Sequence, residues 1–110
     1  MGKRRKRRSK DVPVRAPTPE LKGVALLLSQ WPVATLDLHG YTAEMARPRI
    51  RDFLTTHSRI SAGDVVHIIT GKGTGVLLDV VRDVLPGECA DQVDEYAGMM
   101  GGGGWVVRVK

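Results

Sequence analysis

Hydrophobic and polar residues along positions 33–110 follow two different periods, and each change of period marks a predicted element. Residues 34–38 alternate at period two, as in a strand with one buried face, and lead into a His-Gly turn. Residues 64–70 form a short β-branched run that is typical of a buried parallel strand. Residues 91–97 and 104–109 predict two further strands, joined by a flexible glycine-rich hairpin connection.

Two amphipathic helices are predicted between these strands. The first has apolar residues at helical spacing over positions 46–57, with Thr42 as its N-cap. Pro48 conflicts with this helix, which must therefore begin later or be kinked there. The second covers residues 76–85 and stops at a Pro-Gly pair. The resulting order, βαβαββ, predicts an α/β fold with parallel pairing and right-handed crossovers.

The first 32 residues have a different character from this domain of residues 33–110. Residues 1–20 combine prolines with basic residues and have almost nothing apolar, so we expect a disordered basic arm. Residues 21–32 predict a short helical extension with its apolar residues on one side, ended by Trp31-Pro32.

The charge of the chain is concentrated in this arm. The 110 residues include 17 basic and 12 acidic ones, a net charge of +5. Seven of the basic residues lie in the first ten positions, which contain no acid, so positions 11–110 carry ten basic and twelve acidic residues. A domain that coats nucleic acid by bulk charge is therefore disfavoured. The arm itself predicts either a contact to phosphate backbones, including those of a ribosome, or a solvating tail.

Cysteine content and hydropathy indicate a cytoplasmic protein. The single cysteine, Cys89, cannot form an internal disulfide or a zinc cluster, which is typical of a reducing compartment. The longest apolar run near the start covers residues 24–28, far short of the roughly 18–20 residues that a membrane span needs. We expect no membrane association, no metal site and no cofactor.

Candidate chemistry begins at the end of the first predicted strand. Asp37 and His39 are two positions apart, so their side chains share one face at the carboxyl end of the strand, where open α/β sheets bind ligands. A carboxylate beside an imidazole fixes the ring tautomer and raises its basicity, which suits proton transfer near neutral pH. The alternative is structural, with Asp37 capping the turn and His39 as an ordinary turn residue.

A second candidate follows the next strand. The loop Gly71-Lys72-Gly73-Thr74-Gly75 opens a helix, whose first N–H groups favour anions, and its glycines allow close approach of the backbone. Lys72 adds a cation, and the hydroxyls of Thr70 and Thr74 can bond to a phosphate, although Thr74 is also a candidate helix cap. If the two strands are parallel neighbours, the acid–base pair and this anion site lie side by side, which suits a phosphodiester.

Three separated motifs together resemble the Smr (small MutS-related) domain family. They are the segments 36–40 (LDLHG), 68–75 (IITGKGTG) and 101–109 (GGGGWVVRV), in the family order. The resemblance implies a compact two-layer sandwich with a four-stranded mixed sheet, and endonuclease activity on DNA or RNA in many members. Many members carry histidine where this chain has Thr70, so a two-histidine mechanism at those positions is excluded.

The sequence thus predicts a nucleic-acid endonuclease that works through Asp37 and His39, with residues 70–75 as its phosphate site. Arg47 and Arg51 share a helix face and are candidate contacts to the nucleic-acid backbone, or else solvated surface residues. An acidic set is expected on a surface turned away from nucleic acid. Its members are Asp83, Glu88, Asp91, Asp94 and Glu95.

Other interpretations stay open at this point. One is a non-catalytic module that binds nucleic acid or a ribosome through the same loop. Another is a small anion- or nucleotide-binding enzyme. His67, in the second strand, is expected to be a partly buried histidine with a backbone hydrogen-bond partner.

Overall fold

The computed structural model describes residues 23–110, so the predicted disordered arm of residues 1–20 lies outside the described part of the chain. In chain order the elements are α1 (Gly23–Ser29), β1 (Ala34–Asp37), α2 (Ala43–Ile60), β2 (Val65–Ile69), α3 (Val76–Val84), a 3-10 helix (Ala90–Gln92), β3 (Val93–Gly98) and β4 (Gly104–Val109). Within residues 23–110, no helix combines the length and hydropathy that crossing a bilayer would require.

The four strands form one mixed sheet in the order β1-β2-β4-β3, which confirms the predicted fold class. β1 and β2 are parallel, with Leu36 opposite Ile68, as expected for strands joined through a helix. β4 runs antiparallel to both β2 and β3. The last strand therefore lies inside the sheet, between β2 and β3, and its start meets the end of β2.

The main core fills the space between the sheet and helices α2 and α3. Alternate residues of the strands point to this side, since side chains of a strand alternate between its two faces. The buried cluster consists of Leu36, Leu38, Ala46, Ile50, Leu54, Val66, Ile68, Val80, Val81, Val84, Leu85, Cys89, Val93, Trp105, Val107 and Val109. The indole N–H of Trp105 donates to the Leu78 carbonyl at 3.2 Å and so ties α3 to the sheet.

Helix α1 packs on the other face of the sheet. Its Leu27 is fully buried against Val65 and Val106. Contacts of α1 to strands β3 and β4 confine it to that half of the sheet. On the same face the side chains of Thr35 and Asp37 in β1 stay exposed, so the β1 side of this face is open to solvent.

Helix α2 begins at Ala43 and runs through Pro48, so the later start considered from the sequence is not observed. The hydroxyl of Thr42, the predicted N-cap, accepts a hydrogen bond from the Met45 N–H at 3.2 Å. Pro48 has no N–H to offer the carbonyl of Glu44. Both residues are exposed, so water can satisfy that carbonyl and the helix continues.

Residues 91 and 92 were expected in the third strand, but they belong to a short 3-10 helix that precedes it. The Gln92 N–H donates to the Cys89 carbonyl at 2.9 Å, which closes this turn. β3 then pairs with β4 from Val93, with an irregularity before Glu95. The strand is therefore two residues shorter at its start than its hydrophobic pattern predicts.

Gly104, the first residue of β4, leaves no room for a side chain. A Cβ atom added to Gly104 would lie 2.6 Å from the Ile68 carbonyl oxygen and 3.0 Å from the sulfur of Met99. The space beside β2 thus admits only glycine at this position, and any larger residue forces β2 and β4 apart.

We predict that Gly104→Ala lowers the free energy of unfolding by about 2 kcal/mol or more, because backbone atoms cannot move aside without breaking the pairing. Gly98→Ala is the matched control, since its Cβ would be in ordinary contact, 3.9 Å from the Trp105 ring. It should change stability by less than about 0.5 kcal/mol. Urea unfolding followed by circular dichroism measures both, and equal stabilities of the two variants would contradict the packing described.

Candidate functional site

The carboxyl ends of β1 and β2 lie side by side at one edge of the sheet. Parallel pairing continues to this edge, where the Leu38 N–H donates to the Ile69 carbonyl at 2.8 Å. A cleft of about 310 Å³ opens there. One wall is residues 39–43, the turn after β1, and the other is residues 70–78, the glycine loop with the first turn of α3. His39 and the glycine loop therefore lie next to each other, as the sequence predicts.

His39 is exposed and lines the cleft, but the Asp37 carboxylate is directed to the backbone. Its Oδ1 accepts a hydrogen bond from the His39 N–H at 3.0 Å. Within residues 23–110 no hydrogen bond joins this carboxylate to the imidazole ring. Gly40, with φ of 87°, turns the chain in the left-handed region. Asp37 thus fixes the turn that carries His39, which is the capping role considered as its structural alternative.

The first part of the glycine loop is held by the protein itself. The Gly103 carbonyl accepts both the Thr70 N–H at 2.8 Å and the Gly71 N–H at 3.1 Å. The buried Thr70 hydroxyl donates to the Gly71 carbonyl at 3.1 Å. The Thr70 hydroxyl and the Gly71 N–H, which were expected to bind phosphate, make these hydrogen bonds within the protein.

The exposed middle of the loop presents the groups that remain for a ligand. Lys72, Gly73 and Thr74 are exposed, and Lys72 is the single basic residue among the described residues that line the cleft. The aliphatic stem of Lys72 passes beside Gly103, whose added Cβ would lie 3.7 Å from Cγ of the lysine. The Thr74 hydroxyl accepts the Val76 N–H at 3.4 Å, so it already assists the start of α3.

Both long helices of the domain begin at the cleft. Thr42 and Ala43 at the start of α2 line one wall, and Gly75 and Val76 at the start of α3 line the other. The first N–H groups of a helix lack partners within it and attract negative charge. The sequence predicts an anion site at the start of α3, and at the start of α2 it predicts the cap Thr42 with Glu44 in the first turn.

The connection between β3 and β4 also helps to form the site, which the sequence analysis did not predict. It was expected to be a flexible link, but the Gly102 N–H donates to the Met99 carbonyl at 3.0 Å. Gly101, Gly102 and Gly103 all have φ between 80° and 85°, a conformation that only glycine adopts easily. This turn delivers the Gly103 carbonyl to the glycine loop. The glycine run itself was the available signal.

Arg47 and Arg51 do not line the cleft. Arg47 pairs with Asp83 at 3.2 Å and with Glu88 at 3.1 Å. Arg51 pairs with Glu88 at 3.2 Å. The arginines were expected to face nucleic acid and the acids to face away from it, and these expectations cannot both hold for groups in contact. A phosphate at either arginine would lie close to a carboxylate of the chain itself.

The other titratable groups to consider are possible metal ligands and His67 in β2. Within residues 23–110, no group of three or more His, Cys, Asp or Glu side chains could hold a metal ion. His67 lies between Thr35 and Val106 on the face opposite α2 and α3, half-buried. Within the described residues its ring has no hydrogen-bond partner, contrary to the expected backbone contact. Desolvation by burial lowers its pKa from the usual 6.5.

The lowered pKa of His67 predicts a pH dependence of stability. The folded protein disfavours the protonated ring, so the unfolded chain binds more protons below about pH 6.5. The contribution to stability is therefore complete above that pH and is lost as the pH falls toward the folded-state pKa. We expect Tm to fall between about pH 7 and about pH 5, and to fall less steeply in His67→Gln. Identical slopes for the two proteins would contradict this assignment.

Comparison with known proteins identifies the family. The family model of the Smr domain matches residues 36–109 of the sequence. The chain therefore belongs to the Smr domain family, as the three sequence motifs indicated. The Smr domain of Thermus thermophilus MutS2 has a similar crystal structure, with a TM-score of 0.62 and 26% sequence identity. That match covers 71% of this chain and 99% of the other. No curated protein matches the chain. Smr domains in general bind nucleic acid, and the family is known for nicking endonuclease activity.

Proposed function

We propose that this protein is a nucleic-acid endonuclease in which His39 transfers a proton at a phosphodiester held against the glycine loop. The observation that carries the proposal is that His39 and residues 71–75 line the same cleft. Membership in a family of nucleic-acid-binding and nicking domains supports it. We place its action in the cytoplasm, in keeping with a single buried cysteine that has no disulfide partner.

The electrostatics of the cleft favour the transition state of such a reaction. Charge builds up on the phosphate oxygens as the phosphorus is attacked, and preorganised donors stabilise it. The Lys72 ammonium and the backbone N–H groups of Lys72 and Gly73 are the candidate donors. The starts of α2 and α3 add backbone N–H groups from both walls, and the acidic residues Glu44 and Asp79 in their first turns offset part of the helix-dipole charge. This arrangement suits an anion that gains charge better than a neutral substrate.

For an RNA substrate the chemical step can be written in full. His39 takes the proton of the 2′-hydroxyl, whose oxygen forms a bond to phosphorus while the bond from phosphorus to the 5′-oxygen breaks. The 5′-oxygen leaves with a proton from solvent, and the other product ends in a 2′,3′-cyclic phosphate. For DNA, water takes the place of the 2′-hydroxyl as the nucleophile.

Asp37 has a positioning role in this proposal. Its carboxylate bonds to the His39 N–H and so sets the direction in which the ring leaves the backbone. An asparagine at this position retains an oxygen that can accept the same hydrogen bond. The acid–base pair expected from sequence, by contrast, needs the negative charge beside the ring.

A second function, binding without catalysis, is favoured by one observation. The Asp37 carboxylate and the Thr70 hydroxyl are both bonded to backbone groups, and among the described residues neither is hydrogen-bonded to the His39 ring. A module of this kind would hold nucleic acid, free or in a ribosome, through Lys72 and the glycine loop and leave it intact.

We predict that His39→Ala lowers the cleavage rate by about 10²–10⁴-fold and changes binding by less than about twofold, because general acid–base catalysis contributes about that much. Full-length protein is incubated with labelled single-stranded RNA, single-stranded DNA and branched DNA, with and without EDTA. His57→Ala is the control, since His57 lies at the far end of α2 and does not line the cleft. The cleavage rate of Asp37→Asn should stay within about tenfold of the wild-type rate, and the rate of Asp37→Ala should be lower than that of Asp37→Asn.

Each outcome separates the two functions. Undiminished cleavage by His39→Ala would contradict the catalytic proposal. Binding of all three substrates by wild-type protein without cleavage, with weaker binding by Lys72→Ala, would support the binding module. A loss of activity in Asp37→Asn as large as in His39→Ala would restore the charged pair as the catalytic unit. Identification of the product ends then shows whether a 2′-hydroxyl or water attacks.

A further inference from the structure

The cleft is larger and less polar than a phosphate group needs. Its volume of about 310 Å³ lies at the lower end of the range, roughly 300–1,000 Å³, in which pockets hold molecules the size of a drug. The glycine loop and Lys72 occupy only one side of it. The rest of the lining includes the apolar residues Tyr41, Ala43 and Val76.

This apolar lining comes from both walls, with Tyr41 in the turn after β1 and Val76 at the start of α3. Tyr41 is half-buried and packs against the main core, so its position is fixed by the domain. Val76 is 52% exposed although it lines the cleft. Both residues line the same cleft as the glycine loop. A ligand that fills the cleft therefore joins a phosphate to a flat or apolar group.

We propose that the cleft takes up an unpaired nucleobase against Tyr41 and Val76 while a phosphate of the same nucleotide lies on the glycine loop. The nucleic acid is then single-stranded at the point of contact. The inference rests on the proposed function of the cleft as a nucleic-acid site. Stacking on aromatic side chains is the usual way in which proteins hold unpaired bases, whereas a paired base must first leave its stack at a cost.

The charge of residues 23–110 also favours a single strand. Residues 23–110 contain eight basic and ten acidic residues. Three of the basic ones, Arg47, Arg51 and Arg82, pair with carboxylates of the chain itself. A protein that recognises a duplex by its backbone neutralises many phosphates with basic side chains, whereas residues 23–110 have more acidic than basic residues. Base contacts in the cleft supply affinity that does not depend on charge.

The test uses AMP and ribose 5-phosphate, which differ only in the base, with amide signals of the full-length protein followed by NMR. Both probes should shift the amides of residues 72–75. Only AMP should also shift those of Tyr41, Ala43 and Val76. AMP should bind about tenfold more tightly than ribose 5-phosphate, the effect of roughly one stacked base.

Variants identify the side chains responsible. Tyr41→Leu should reduce the affinity for AMP to that for ribose 5-phosphate, and Tyr41→Phe should restore it. Val76→Thr should weaken AMP binding by about threefold, from the loss of one apolar methyl contact. Val33→Thr is the matched control, because Val33 is equally 52% exposed but lies before β1, at the edge of the sheet away from the cleft. It should leave AMP binding unchanged.

Equal affinities for AMP and ribose 5-phosphate, with shifts confined to the loop, would overturn the inference. Displacement of AMP extends the test to the polymer. A single-stranded oligonucleotide should displace AMP at least about tenfold more effectively than a duplex of the same sequence. Base-dependent binding in a protein that cleaves nothing would leave the inference standing and remove the nuclease. Equal cleavage of a single strand and a duplex would contradict the inference and leave the proposed nuclease activity standing.

Discussion

The parallel pairing of β1 with β2 is the constraint on which the rest of the structure depends. Two parallel strands with their helices on one face must leave the sheet at the same edge, and the helices that follow them must begin there. The hydrogen bond from the Leu38 N–H to the Ile69 carbonyl carries this pairing up to the cleft. An antiparallel arrangement would have placed the His39 turn and the glycine loop at opposite ends of the domain. The cleft is thus a consequence of topology, and its chemistry comes from the residues that the topology brings together.

A second contact decides which groups of the cleft remain free for a ligand. The Gly103 carbonyl holds the N–H groups of Thr70 and Gly71, and Asp37 holds that of His39. These bonds fix both walls before any ligand arrives, and they remove several polar groups from the set that could bind one. What remains is an imidazole, one ammonium and backbone N–H groups at two helix starts, together with the apolar residues Tyr41 and Val76. A preorganised site of this kind loses little entropy when an anion binds.

The sequence predicts the elements well because their patterns are local. The period-two strand before His39, the caps of the helices and the glycine loop each follow from neighbouring residues, and parallel pairing follows from their order. The partners of charged groups do not follow in this way. A spacing of two fits both an Asp37 that holds the ring of His39 and one that holds its N–H. Helical spacing puts Arg47 and Arg51 on one face, but Glu88 lies 41 residues beyond Arg47 and reaches them only through the tertiary fold. The contacts of the Gly103 carbonyl cannot be predicted from sequence either, because the residue has no side chain and the direction of its carbonyl depends on strand register.

The most direct test of this account asks whether one anion contacts both walls of the cleft. Inorganic phosphate is titrated into the full-length protein while the Cε1–Hε1 signal of the His39 ring and the amide signal of Gly73 are followed together. If the two walls form one site, both signals shift with the same dissociation constant, and both shifts weaken in Lys72→Ala. A Gly73 signal that moves while the His39 ring signal stays in place would show that the imidazole lies out of reach of the bound phosphate, and the account of the site would be wrong.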